Sequence, residues 1–320
     1  METPYSIPKT QVAVKQGEGG RLQVTKDAAV PELANGRILV RVRAVALNPT
    51  DYKLPLNFPS PGATAGTDFS GTVVALGPGI DPAKSRIKIT DRVCGNVFGS
   101  NPADHATGGF AEYVSAHVDL VARIPDEMTW EEAAAVGGVG HSTVALALWT
   151  SCIALNGTPQ RPYVGDDADR HALVYGGSTA TGTMAIQILR LSGYLPIAIC
   201  SPHNFPLAHS FGAVATFDYK SKTCGQDIRG YTSNELWLVL DCITDHLSTE
   251  VSFAALGRAG GRCVHLEHLD DEGRAIADKR KAVKTEFLMQ YQAFGEPIRL
   301  SESYELEIRP DRREFACRWA

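Results

Sequence analysis

The chain has 320 residues, 44% hydrophobic and 21% charged, with a formal net charge of -5. That length suits two domains, and the apolar content supports buried cores, so disorder as the dominant state is excluded. The mild negative balance leaves no electrostatic footprint for a nucleic-acid partner.

Met1-Glu2-Thr3-Pro4 has neither a basic nor an apolar stretch, so no signal peptide is expected. No apolar run reaches the roughly 18 residues a membrane span needs. Seven cysteines, none at CxxC spacing, argue against a disulfide framework and for a reducing, cytoplasmic setting.

The first third reads as β-rich. Strands are predicted at 37–47, where basic and apolar residues partly alternate, and at 68–76, 91–97 and 109–114. Pro-Gly, Gly-Pro and Asn-Pro dipeptides separate them, which suggests a barrel-like β domain. Thr129 and Glu132 have capping-box spacing at the start of a helix. A second helix is expected over 141–155, and the polar 156–170 stretch is expected to be a surface loop.

From His171 onward strands and helices alternate. Strands are predicted at 172–175, 196–200, 215–217, 236–242 and 261–266, and helices at 182–192, 206–211 and 248–255. This pattern predicts an α/β, doubly wound parallel sheet. Residues 270–284 are charged and helix-compatible. Residues 287–294 are largely apolar. Phe315 and Trp319, four apart, are expected to share one helix face.

Val174-Tyr175-Gly176-Gly177-Ser178-Thr179-Ala180-Thr181-Gly182 joins a predicted strand to a predicted helix. Glycines let the turn tighten and a diphosphate approach, and the helix start offers N–H groups. The hydroxyls of Ser178, Thr179 and Thr181 add donors. The spacing is not a clean GxGxxG, so the motif alone does not separate a nucleotide site from an ordinary turn. The flanking strand and helix favour the nucleotide. The second strand ends in Ser201-Pro202-His203-Asn204, with no carboxylate to repel a 2′-phosphate. Tyr219 and Lys220 are expected to cover the adenine end. NADPH is therefore expected over NADH, although Ser201-Pro202 could simply start the next helix.

Leu47-Asn48-Pro49-Thr50-Asp51-Tyr52-Lys53, Gly66-Thr67-Asp68-Phe69-Ser70-Gly71 and the glycine turn behind them resemble the medium-chain dehydrogenase/reductase superfamily. VYGGSTATG (174–182), LRLSGY (189–194), CSPHNF (200–205), LDCIT (240–244) and GRAGG (257–261) narrow the resemblance. They are similar to the stand-alone enoyl reductases that serve fungal polyketide synthases in trans. The resemblance implies a GroES-like β-rich catalytic domain (1–150), a Rossmann domain (151–285) and a return to the catalytic domain (286–320). Family members continue further, so the C-terminal part of the catalytic domain is expected to be truncated. The resemblance further implies NADPH, a highly reducing synthase with its acyl carrier protein as partner, and a monomer. Cofactor contacts would fall on Thr50, Asp51, Tyr52, Lys53, Ser178, Thr179, Ala180, Thr181, Ser201, Pro202, His203, Asn204, Tyr219, Leu266 and Glu267. Substrate contacts would fall on Thr143, Val144, Ala145, Leu146, Ala147, Leu148, Trp149 and Thr150, and on Gln290, Tyr291, Gln292, Ala293 and Phe294.

Zinc relatives in this superfamily carry Gly-His-Glu where this chain has Gly66-Thr67-Asp68. Thr67 is not a usual zinc ligand, and Asn48 and Asp51 bring neither Cys nor His, so a zinc-free enzyme is expected. Lys53 is the first candidate for a catalytic role, orienting a ribose or relaying a proton, against a solvated loop lysine. Tyr52 is either a donor or packing. Asp51 is expected to order its loop by accepting backbone N–H groups. Thr143 either positions a ligand or is a plain helix residue. Asp241-Cys242 resembles a reactive pair, but a small buried Cys beside the cofactor is the stronger reading. A quinone or enone reductase and a non-catalytic nucleotide binder remain the competing functions.

Overall fold

A computed structural model describes residues 6–166 and 170–320. The leader-free reading of Met1 to Pro4 lies outside it, as do residues 167–169 of the expected loop. The chain divides into two compact units, one formed by Met1–Ser142 with Tyr291–Ala320 and the other by Thr143–Gln290.

The first unit is built on five antiparallel strands. They are β3 (Arg37–Ala44), β4 (Asp68–Leu76), β5 (Arg92–Asn96), β6 (Tyr113–His117) and β7 (Val121–Arg123), in the order β6-β3-β4-β5-β7. Ile38, Val40, Phe69, Val73, Val93, Val114 and Val121 fill its core. The partial alternation read in the sequence holds only past Val40, since Ile38, Leu39 and Val40 are all buried and β4 is buried on both faces. Two hairpins not anticipated are β1 (Thr10–Gln16) with β2 (Leu22–Ala29), and β14 (Ile298–Ser301) with β15 (Tyr304–Leu306). The expected strand at 109–114 is displaced, because β6 starts only at Tyr113, where register with Arg41 begins.

Helices complete the unit. α1 (Pro49–Asn57) replaces the expected loop. Pro49 sits in its first turn, where a missing N–H costs nothing, and Asp51 caps the Asn48 N–H at 2.7 Å. α2 (Trp130–Val136) starts on the Thr129–Glu132 capping box read from the sequence. α9 (Pro310–Trp319) stacks Phe315 on Trp319 at 5.7 Å. α3 (Val139–Trp149) is shorter than the helix expected over 141–155.

The second unit holds six parallel strands in the order β10-β9-β8-β11-β12-β13. These are β8 (His171–Tyr175), β9 (Leu195–Cys200), β10 (Ala215–Asp218), β11 (Leu238–Asp241), β12 (Gly261–His265) and β13 (Val283–Phe287). The alternation of strand and helix therefore gives the doubly wound sheet, with α4 (Ala180–Leu191), α5 (Phe205–Ser210), α6 (Cys224–Tyr231), α7 (His246–Ala255) and α8 (Asp271–Lys279) between strands. The charged stretch expected to be helical to 284 stops at Lys279, and β13 follows. β13 is an outer strand carrying Lys284 and Glu286, and its charges hid it among polar residues. Among the described residues no helix is long and apolar enough to cross a membrane. All seven cysteines are unbridged.

Candidate active site

Strand order reverses between β8 and β11, where the two strands run side by side in parallel register. Open parallel sheets bind their ligands outside the carboxyl ends of strands at such a point. The glycine turn leaves β8 there. Gly176 has φ +78°, and both Gly176 and Gly177 donate to the Ile199 carbonyl. A Cβ on Gly182 would stand 2.2 Å from the Gly176 oxygen, and one on Gly177 would stand 2.7 Å from the Ala198 Cβ. Glycine is therefore required by close backbone approach, not by a motif. The first-turn N–H groups of α4 have no intrahelical acceptors and suit an anion.

Thr179 has a different role from the expected phosphate donor. Its hydroxyl donates to the Gly176 carbonyl at 2.8 Å and accepts from the Gly182 N–H at 3.0 Å, so it is committed as the N-cap. Ser178 and Thr181 are half-buried, and Ala180 is exposed. At the carboxyl end of β9, Ser201 precedes a 3-10 turn of Pro202–Asn204, with Pro202 and His203 exposed. After β10, the Lys220 ammonium lies 5.7 Å from the Tyr219 ring. Asp218 is a residue the sequence reading passed over. It stands in register with Cys200, and its Oδ1 accepts the Lys220 N–H at 2.9 Å.

The β11 end is more constrained. Asp241 is fully buried. Its Oδ1 accepts the N–H groups of Ile243 (3.0 Å) and Thr244 (2.9 Å), and its Oδ2 accepts the Ser248 hydroxyl at 2.6 Å. Asp241 is thus a loop organiser. Burial drives the Cys242 thiol far above the ordinary cysteine range, so the pair supplies no nucleophile at neutral pH. His265 is also buried, with Nδ1 3.7 Å from Asp241 Oδ2 and neither ring nitrogen hydrogen-bonded. Leu266 is half-buried and Glu267 exposed just beyond it.

Of the expected substrate residues in this unit, Val144, Ala145, Leu146, Ala147 and Leu148 are almost fully buried. Leu148 lines an apolar void with Ile153, Leu155, Leu173 and Leu189, which makes it core packing. Trp149 donates to the Gly157 carbonyl and Thr150 to the Leu146 carbonyl, both at 2.8 Å. Thr143 and Gln290 are buried at the limits of the unit.

In the first unit, α1 brings Thr50, Asp51, Tyr52 and Lys53 together. Tyr52 is 59% exposed, whereas Lys53 is half-buried on a helix and is not a solvated loop lysine. Thr50 Oγ1 lies 3.2 Å from the Tyr291 hydroxyl. Tyr291 stacks on Phe98 at 4.0 Å and reaches Phe294 at 6.1 Å. Gln292 accepts from the buried Arg312, and Ala293 is buried beside it in sequence. Thr67 donates to Asp51 Oδ1 at 2.7 Å. Asn48 Nδ2 donates to Asp68 Oδ2, and the Val139 N–H to Asp68 Oδ1, each at 2.8 Å. Burial pushes the Asp68 carboxyl up to about 7, with the neighbouring Asp51 adding to the rise. Burial raises Asp51 as well. Among the described residues no three His, Cys, Asp or Glu side chains converge as a metal cluster.

Residues 34–126 match the alcohol dehydrogenase GroES-like domain. The chain is 48% identical over 314 residues to the trans-enoyl reductase ffsC of Aspergillus flavipes, covering 98% of this chain and 83% of that protein. The chain belongs to the trans-enoyl reductases. The reductase ccsC of Aspergillus clavatus is 43% identical, over 99% of this chain and 85% of its own length. Among solved structures, the CurK enoyl reductase aligns with a TM-score of 0.71 at 20% identity, over 89% of this chain and 82% of that one. A mycobacterial protein solved with NADPH aligns with a TM-score of 0.68 at 20% identity, over 88% and 82%. These two likenesses carry the fold, the medium-chain arrangement of a GroES-like unit and a Rossmann unit. The trans-enoyl reductase is an oxidoreductase, and its parallel sheet is of the kind that takes a nicotinamide cofactor.

Proposed function

We propose that this trans-enoyl reductase uses NADPH, without zinc, to reduce an α,β-unsaturated thioester on the acyl carrier protein of a highly reducing polyketide synthase. The observation that carries this is the 48% identity to a named trans-enoyl reductase along nearly the whole chain. The two domains divide near residues 142 and 290 in this reading, with the catalytic unit made of both chain ends.

The residues fit the cofactor. The cradle at Gly176, Gly177 and Gly182 leaves backbone room for a diphosphate. Ser201, His203, Asn204 and Lys220 give the adenine end donors and positive charge for a 2′-phosphate. Asp218, in register with Cys200, is tied to the Lys220 N–H. When bound, NADPH supplies the hydride equivalent that reduces the β-carbon of the enoyl thioester. The work of the protein is orientation, exclusion of water and supply of donors near the thioester oxygen. Lys53 and Thr50, fixed on α1, are the candidate polar groups for this. Thr67 in place of a ligand, with Asp51 committed to Thr67 and Asn48, supports a zinc-free site. Charged residues on the outer strand β13 oppose edge pairing and support a monomer.

The test is NADPH oxidation with a crotonyl thioester of pantetheine, run beside NADH and a small quinone. Turnover is expected with NADPH and the thioester. Preference for the quinone would reassign the substrate, and NADPH binding without any turnover would reduce the chain to a nucleotide binder. Lys53→Ala is expected to lower turnover roughly ten-fold or more with an unchanged melting temperature. Unchanged turnover would leave Lys53 without a catalytic role.

A further inference from the structure

A β-branched residue at positive φ is a conformational outlier, and Thr244 is held at φ +57°. Such strain persists only where surrounding contacts impose it, and it collects at functional sites. The contacts are on hand. The Thr244 N–H is bound to Asp241 Oδ1 at 2.9 Å. Its hydroxyl donates to the Asp241 carbonyl at 3.3 Å and accepts the Leu266 N–H at 3.2 Å. The Leu266 N–H also reaches the Asp241 carbonyl at 3.3 Å. One hydroxyl therefore ties the loop after β11 to the loop after β12. The same loop abuts the phosphate turn, since a Cβ built on Gly176 would lie 3.0 Å from Ile243 Cγ1.

A doubly wound sheet binds a dinucleotide with one mononucleotide to each half. The β8–β10 half carries the phosphate turn and the adenine-end donors, which leaves the nicotinamide to the β11–β13 half. A glycine or asparagine would hold the backbone of Thr244 at less strain, but neither carries a hydroxyl at that place. We infer that Thr244, held by Asp241, is a positioning residue that fixes Leu266 at the nicotinamide end of the site. This rests on the cofactor assignment proposed above. It predicts that the hydroxyl matters for turnover far more than for binding, because the phosphate and adenine contacts lie in the other half.

Thr244→Val removes the hydroxyl and keeps the branched shape, whereas Thr244→Ser keeps the hydroxyl. In Thr244→Val, kcat is expected to fall ten-fold or more while the NADPH dissociation constant moves less than three-fold. Affinity for adenosine 2′,5′-bisphosphate should be unchanged. Residue-resolved amide exchange should show faster exchange at Leu266, and Thr244→Ser should restore both kcat and protection. Slow exchange at Leu266 with turnover within two-fold in Thr244→Val would overturn the inference. So would an equal loss in Ser and Val, or a fall in bisphosphate affinity alongside melting temperature, each of which marks a general structural defect. If the wild-type chain turned over no enoyl thioester, the proposed function would fall, and exchange at Leu266 would decide the positioning role alone.

Discussion

Each unit buries a carboxylate at a strand end, and the two are held differently. Asp241 in the Rossmann unit receives two backbone N–H groups and a serine hydroxyl from its own loop and helix. Asp68 in the GroES-like unit receives one backbone N–H and one side-chain amide, with Asp51 nearby adding like charge. The first arrangement makes the carboxylate a brace for backbone. The second leaves a carboxyl whose proton is nearly in balance at neutral pH. Burial alone does not decide what a buried acid does; the number and source of its donors decide.

The largest expected effect comes from breaking the brace. Asp241→Ala leaves the N–H groups of Ile243 and Thr244 and the Ser248 hydroxyl without their acceptor, at a cost of roughly 3–5 kcal/mol in denaturant unfolding. A loss under about 1 kcal/mol would show that Asp241 is no brace. The next test exploits the raised acid. The folded state favours protonated Asp68, so its contribution is full below the ordinary carboxylate range and is lost as pH climbs from about 4 through about 7. Asp51, raised too, works in the same direction, and the two titrate as a pair. Asp68→Asn should flatten that loss, read as melting temperature against pH, while one of the two N–H donors to Asp68 loses its acceptor at a cost of about 1–3 kcal/mol at every pH. A wild-type curve already flat from pH 5 to 8 would contradict it.

Single-donor deletions sharpen the contrast. Ser248→Ala and Thr67→Val each remove one hydroxyl from a carboxylate, and each should cost about 1 kcal/mol. Thr67→Val should also change the pH dependence, because Asp51 then loses the side-chain bond that holds its pKa down. The smallest effect belongs to Glu296. The His117 hydrogen bond, then the Arg37 charge, holds its carboxyl below the usual range. Its contribution is present above that range and is lost as pH falls below it. Glu296→Gln should therefore cost about 0.5 kcal/mol at pH 7 and nothing in acid, and high salt should erase the difference.

The sequence announced the strands that lie wholly inside the parallel sheet, because Leu173, Ile197 and Val239 sit in unbroken apolar runs. It concealed β13, whose place at the edge permits Lys284 and Glu286. It concealed α1 as well, since Pro49 and Pro55 argue against a helix until the first is seen at the start. The glycine turn was legible as a tight strand-to-helix turn, but the duty of Thr179 as a cap was not, because it depends on where the Gly176 carbonyl points. Asp241 stood out in LDCIT, yet its bonds to Ser248 and, through Thr244, to Leu266 come from elements that meet only in three dimensions. The resemblance placed substrate contacts at 143–150, and burial puts Leu148 of that stretch in the sheet core.

The GroES-like unit is assembled from two stretches of chain, with the Rossmann unit inserted whole between them. On a ribosome the insert can fold as soon as it emerges, whereas the contacts that the first stretch makes with Tyr291 onward form only after it. At ordinary elongation rates that interval is on the order of ten seconds or more. Throughout it Phe98 lacks Tyr291, and Arg37 and His117 lack Glu296. The first stretch thus completes these contacts last, after residues 143–290 have been made.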